Sequence, residues 1–245
     1  MRNIKLIIQY DGTNYHGWQI QENAVTIQET VENALKKLTG VRPKLSGCGR
    51  TDTGVHAENY VCSFKTESTI SCDRLPYAIN RFLPNDIICT MAEEMPADFD
   101  AHKSAVGKTY TYKILNSQYP NVFFNNRAWH YRYDLDIDKM KKAAKSFLGT
   151  HDFIGFAAAG FTVKTTVRTI HNVEIVKDGD LVMIKITGDG FLYNMVRIIA
   201  GTLVFAGNGK INWEDMSEII ASCDRKRAGI TAPACGLYLS EVFYS

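Results

Sequence analysis

The segment SGCGRTDTGVHAENY, residues 46–60, sets Arg50, Asp52 and His56 among three glycines with little apolar cover. Three chemistries use such parts. An aspartic protease carries the triplet Asp-Thr-Gly, but as one of two aspartates that share a proton. This chain has a single such triplet, so a second copy would have to supply the other. Arg50, two residues away, also favours an ionised carboxylate over a shared proton. A phosphate loop of the Walker type needs a lysine and a hydroxyl opening the helix, whereas Val55, His56 and Ala57 follow Gly54. A lone ionised carboxylate doing other chemistry is the third option. Against all three stands a plain turn, since aspartates in glycine-rich loops often only cap or turn the chain.

The bulk properties narrow the setting. The chain has 245 residues, 45% hydrophobic and 22% charged, with a net charge of +2. That supports a sizeable core and excludes a disordered chain. Nucleic acid is allowed but not demanded by this charge, because a groove can be positive on a near-neutral molecule. None of the six cysteines forms a C-x-x-C pair, so thiols in a reducing compartment are expected rather than a metal site. The opening MRNIKLIIQYDGT is too short and too polar in its apolar run for a signal peptide, and no stretch reaches the length of a membrane span. A soluble cytoplasmic protein is the expectation.

The elements that must position the loop follow from periodicity. Ile4, Leu6, Ile8 and Tyr10 alternate as an opening strand. DGTNYHGWQIQ is a loop, and Thr26-x-x-Glu29 is a capping box for a helix with Ile27, Val31, Leu35 and Leu38 on one face and Gly40 at its end. After the GRTDTG loop come a strand at YVCSFK, a short helix over 73–81 and a strand at NDIICTMAEE. A second half begins near Gly107. Its strand KTYTYKIL places Tyr110, Tyr112 and Ile114 on one face, and a helix spans Asp138 to Leu148 with Met140, Ala144, Phe147 and Leu148 apolar. A hairpin folds RTIHNVEIVKDGDLVMIKITG around Asp178-Gly179. FLYNMVRIIAGTLVFAG is a buried helix interrupted by Asn194 and Arg197, Asn212 caps a last helix with Trp213, Met216 and Ile220 inward, and GLYLSEVFY closes as a strand. The fold class is therefore α+β. Two similar halves, residues 1–106 and 107–245, would share a mainly antiparallel sheet.

Taken in order, YDGTNYHGWQIQ, TIQETVENAL, GRTDTGVHA, KTYTYKI, FLYNMVRIIAGTL and GLYL resemble the tRNA pseudouridine synthase A (TruA) family. The resemblance runs from the first strand to the last. GRTDTGVHA is its most specific segment, with Thr53 where the family most often has alanine and Cys48 at another variable position.

What the resemblance implies is a pseudouridine synthase fold with a central active-site cleft. Its activity would be isomerisation of uridine to pseudouridine in the anticodon stem-loop of tRNAs, at positions 38, 39 and 40, with Asp52 as the catalytic nucleophile. No cofactor and no metal is implied. The partners implied are tRNA and a second copy of the chain in a homodimer. A carboxylate could attack the anomeric carbon as in retaining glycosidases, act as a base on the sugar, or add to uracil C6; all three routes stay open. Arg197 matches the family's ion-pair partner of that aspartate, and an arginine in an apolar helix needs an acidic partner in any case, the alternative being a purely structural ion pair whose loss would harm folding. Tyr110 matches the tyrosine that stacks on the target base, although its alternation with Tyr112, taken alone, favours a core position. Arg50 is a candidate for a phosphate contact or for holding the flipped base, the alternative being a solvated surface side chain. His56, Lys108, Lys164 and Arg168 are further candidates for a positive groove. Two other functions compete: a non-catalytic RNA-binding module that stacks bases on strand aromatics, and a sugar or nucleoside hydrolase, which would need a second acid–base carboxylate that the sequence does not reveal.

Overall fold

The computed structural model describes residues 1–160 and 163–245. In chain order the elements are β1 (Arg2–Tyr10), α1 (Ile27–Thr39), β2 (Ser46–Gly47), β3 (His56–Thr66), α2 (Leu75–Asn80), β4 (Ile87–Met95), β5 (Ala105–Leu115), β6 (Trp129–His130), α3 (Ile137–Lys145), β7 (Gly149–Asp152), β8 (Val167–Asp178), β9 (Leu181–Gly188), α4 (Met195–Gly207), α5 (Met216–Ala221) and β10 (Leu237–Tyr244). They group into two compact units. One is Met1–Val106 with Tyr238–Ser245, the other Gly107–Leu237.

The first unit is a sheet in the order β4–β1–β3–β10, with β2 also on β3. Ile4, Leu6, Ile8 and Tyr10 are buried as the alternation of β1 predicts. β1 pairs antiparallel with both β3 and β4, while β10 runs parallel to β3 through Tyr238–His56 and Leu239–Ala57. The last strand of the chain thus joins the unit that contains the first. α1 begins and ends where its sequence says. Thr26 accepts the Glu29 N–H with its side chain, and Gly40 closes the helix in the left-handed conformation at φ 79°. Ile27, Val31 and Leu35 are buried and Leu38 is half-buried. At the outer strand, β4, Asn80 donates its amide to Cys89 O at 2.9 Å and accepts Cys89 N–H at 2.8 Å.

The second unit carries the order β5–β9–β8–β7, with β6 parallel to β5. β5 is buried on both faces: Tyr110, Tyr112 and Ile114 on one, Thr109 and Thr111 on the other. Here the hydroxyl of Thr109 meets that of Thr187 at 2.8 Å, which lets a polar side chain occupy a covered position. The hairpin of β8 and β9 turns through Gly179 and Asp180, since Asp178 still pairs with Leu181. Gly179 takes φ 56°, as a two-residue hairpin turn requires.

Besides the hairpin turn, which falls one residue later than the expected Asp178-Gly179, three sequence expectations are corrected. The apolar helix starts at Met195, not at Phe191, because Asn194 adopts φ 60° and breaks the helical run. The helix expected over 138–148 ends at Lys145, so Leu148 lies beyond it and is exposed. The last helix is split: Asn212 accepts Glu214 N–H at a 3₁₀ turn over Trp213–Asp215, and only then does α5 begin. Met216 and Ile220 are buried as expected, whereas Trp213 stays half-buried under Lys142. α4 belongs to the core of its own unit, with eleven of its residues buried.

Candidate active site

The Asp52 loop is held by chain segments distant in sequence. After β2, Cys48 N–H bonds to Val61 O at 2.9 Å, continuing the pairing with β3. Tyr60, fully buried on β3, donates its hydroxyl to Gly49 O at 2.5 Å. Burial pushes the Tyr60 phenol well above its usual range, so it remains a donor. Trp18 stacks on the Tyr60 ring at 4.1 Å, and Tyr10 tilts against it from β1. Three aromatic side chains thereby floor the loop.

The YDGTNYHGW segment grips the loop's main chain from the side. Trp18 N–H bonds to Thr51 O at 3.1 Å, Gly54 N–H to Tyr15 O at 3.3 Å, and the Tyr10 hydroxyl lies 2.9 Å from that of Thr51. The approach is so close that a Cβ on Gly17 would stand 2.2 Å from Thr51 O. Tyr15 is itself tied down, donating to Asp86 Oδ1 at 2.6 Å. Within the loop, Val55 N–H closes a turn on Asp52 O at 3.1 Å and Gly54 takes φ 76°. The result is a braced turn that leaves Asp52 half-buried, with Thr53 and Arg50 exposed.

His56 does not line a surface. It is 2% exposed, stacked on Tyr238 at 4.6 Å, and its Nδ1 accepts Gly12 N–H at 3.1 Å. A ring nitrogen that accepts an amide carries no proton, so its 3.1 Å approach to Asp11 Oδ1 is not an ion pair in that state. The residue locks the YDG turn to β3 instead of serving a groove. Lys164 is exposed, Lys108 is half-buried, and Arg168 folds back onto Thr165 O and Val167 O at 3.0 and 2.6 Å.

In the second unit Tyr110 is buried on β5, edge-on to Phe191 with ring centroids 5.2 Å apart. Arg197 sits in the first turn of α4 and is half-buried. Its Nε donates to Ala232 O at 2.7 Å, its Nη1 to Asn194 Oδ1 at 2.8 Å, and its own carbonyl accepts Ala232 N–H at 3.1 Å. The segment 229–233 can run this close because Gly201 and Gly229 have no side chains: a Cβ on Gly201 would meet Ile230 O at 2.0 Å. Next along, Pro233 O accepts the Tyr112 hydroxyl at 2.7 Å. The positive charge of Arg197 is felt by its neighbours. Burial raises the Tyr112 phenol and the Cys235 thiol, and in both the guanidinium pulls the other way.

Asp52 and Arg50 thus belong to the first unit, Tyr110 and Arg197 to the second. Of the residues that brace them, Gly17 and Trp18 are signalled by the aromatic and glycine content of YDGTNYHGW and Asn194 by its interruption of the apolar helix, whereas nothing local marks Tyr60, Ala232 or Pro233. Among the described residues no group of three or more His, Cys, Asp or Glu side chains could hold a metal ion, and no helix is long and apolar enough to cross a membrane.

Comparison with known proteins identifies the family. The sequence family described as tRNA pseudouridine synthase matches residues 6–102 and 143–245. Tyr110 falls between those segments, while Asp52 and Arg197 fall inside them. A protein of Acetivibrio thermocellus named tRNA pseudouridine synthase A is 53% identical over 244 residues, covering 100% of both chains. One of the same name from Ruminiclostridium cellulolyticum is 51% identical over 245 residues, again with full coverage of both. The Clostridium tetani protein named tRNA pseudouridine synthase A 2 is 49% identical across 100% of this chain and 99% of its own. The chain belongs to the tRNA pseudouridine synthase family.

Proposed function

We propose that this protein isomerises uridine to pseudouridine in tRNA, with Asp52 as the catalytic carboxylate. The reading is supported by one structural observation above the others. A half-buried aspartate is mounted on a turn braced by three aromatic side chains and by a second loop's main chain, which is the rigidity a positioned nucleophile or base needs. In the reaction the bond from uracil N1 to the sugar breaks and a bond from C5 to the sugar forms. The C5 hydrogen leaves to water and N1 gains a proton, so nothing is oxidised or reduced. Asp52 would act ionised, by attack at the anomeric carbon, as a base on the sugar, or by addition to uracil C6.

Arg197 would pair with Asp52 and keep it ionised. The reading draws support from a guanidinium already oriented by Ala232 and Asn194 and already exerting its charge on Tyr112 and Cys235. Tyr110 would give the extruded base a stacking face, worth about 1–3 kcal/mol per base. Arg50, exposed beside Asp52, would hold a phosphate or the flipped conformation. The target uridines would lie in the anticodon stem-loop, and the enzyme would work as a homodimer in the cytoplasm. Six free cysteines fit a reducing compartment. Dimerisation is carried by the family resemblance, because the apolar α4 is already used inside its own unit.

The test uses tRNA transcripts tritiated at uracil C5. Wild-type protein, without added metal or cofactor, releases tritium to water; Asp52→Asn binds the same tRNA and releases none. Binding without release by both proteins would replace the enzyme with a non-catalytic RNA-binding module. Free uracil would indicate a hydrolase.

A further inference from the structure

The start of α4 departs from the usual pattern. Asn194, at its cap, has φ 60° and ψ 7°. Non-glycine residues are uncommon in that left-handed region, although asparagine tolerates it better than most. An asparagine at a helix N-cap ordinarily has an extended backbone and caps a main-chain N–H of the first turn. Asn194 makes no such cap bond. Its Oδ1 accepts instead from the side chain of Arg197, three residues on, at 2.8 Å.

The guanidinium of Arg197 is therefore held by two acceptors on two of its nitrogens, Nη1 by Asn194 and Nε by Ala232 O at 2.7 Å. The second acceptor is main chain and does not depend on which residue stands at 232. The first is a side chain, and it comes from a position where glycine would relieve the backbone more fully. Asparagine gains nothing there as a cap. What it adds is a neutral oxygen that fixes the guanidinium plane without cancelling its charge.

We propose that Asn194 is a positioning residue for the reaction: its amide oxygen, delivered by the left-handed cap, aims the Arg197 guanidinium and leaves its charge for the catalytic carboxylate. The proposal rests on the reading of Arg197 as the partner of Asp52. Aspartate at 194 would keep the acceptor and tolerate the backbone, but it would neutralise the arginine. Glycine would keep the backbone and lose the acceptor. Tyr112 and Cys235 also feel Arg197, and burial raises both, so neither titrates in the acid range where Asp52 must stay ionised.

The experiment compares wild type, Asn194→Gly, Asn194→Asp and Arg197→Gln in single-turnover tritium release, with tRNA affinity, thermal midpoint and the pH dependence of the rate measured for each. Arg197→Gln loses the reaction while binding tRNA. Asn194→Gly slows it about ten- to a hundredfold, the range of a lost hydrogen bond to a charged group, at unchanged tRNA affinity. Asn194→Asp moves the acidic limb of the rate profile to higher pH, because a neutralised arginine no longer favours the ionised carboxylate. A loss of rate in Asn194→Gly at unchanged tRNA affinity and thermal midpoint is the readout a merely structural asparagine would not give, whereas the shift in Asn194→Asp also reports the added charge. Wild-type rates and an unmoved limb in both Asn194 variants, beside an inactive Arg197→Gln, would overturn the role of Asn194 and leave that of Arg197 standing. A fully active Arg197→Gln would overturn both.

Discussion

Replacing Gly17 by alanine tests whether the YDGTNYHGW loop sets the position of Asp52. Two effects separate cleanly. Gly17 has φ 82°, where a side chain costs about 1–2 kcal/mol. The added Cβ would also stand 2.2 Å from Thr51 O and 3.1 Å from Asp52 C, both main-chain atoms with no rotamer to change. Real Cβ contacts below 3.0 Å essentially do not occur, so the loop must retreat by about 1 Å. That retreat stretches the bond from Trp18 N–H to Thr51 O and moves the residue next to Asp52. A displacement of about 1 Å at a reacting group is worth about a hundredfold in rate. Gly40→Ala is the control. Its φ of 79° carries the same backbone penalty, but nothing lies within 4 Å of its added Cβ. In urea unfolding Gly40→Ala should lose only the backbone contribution and Gly17→Ala that contribution and the clash besides, and only Gly17→Ala should lose about a hundredfold in single-turnover tritium release. Equal rates in the two would refute the claim that this loop positions Asp52.

Two further outcomes follow from single side chains. Tyr60→Phe strands the Gly49 carbonyl that now accepts a 2.5 Å bond, lowering stability by about 1–3 kcal/mol and slowing turnover together, as read from the urea midpoint and tritium release; an unmoved midpoint would refute the bracing role. Asp100 gives a pH signature. Burial pushes its carboxyl up, but amide bonds from Lys103 and His102 and a hydroxyl bond from Ser46 outweigh that and hold it below its usual range. A depressed value contributes stability above the unfolded carboxylate value of about 3.9, and that contribution is lost as pH falls through the folded value. Urea midpoints at pH 5 and pH 3 should therefore fall further for wild type than for Asp100→Asn, and equal falls would remove Asp100 as the source.

Local signals were legible in the sequence, and contacts across long chain separations were not. α1 could be read end to end because Thr26, Glu29 and Gly40 each act on their own neighbours. The alternation of β1 and the hairpin of β8 and β9 are equally local. The parallel seat of β10 on β3 joins residues some 180 positions apart, which no periodicity records. Arg197 illustrates the same limit within the site. Its apolar helix announced a buried cation, but its anchors are a carbonyl 35 residues on and an asparagine whose backbone had to leave the helix to reach it. The early end of α3 at Lys145 escapes the periodicity, since Leu148 continues the apolar period after the backbone has already turned.

The amide of Asn80 at the outer strand has a consequence for the protein in a crowded solution. An unpaired strand border invites a foreign strand, because its N–H and C=O groups repeat the pattern that another chain can copy. Asn80 occupies that pattern at Cys89 with one donor and one acceptor, the same two groups a neighbouring backbone would bring. The register slips beside it as well, between Ile7 and Ile8 opposite Thr90, so a flat template is interrupted twice within a few residues. Ile88 and Met91 remain exposed on this border, a pairing of apolar surface and open strand that favours fibre growth elsewhere. At Cys89, Asn80 thus closes the two backbone groups that a foreign strand would need for pairing.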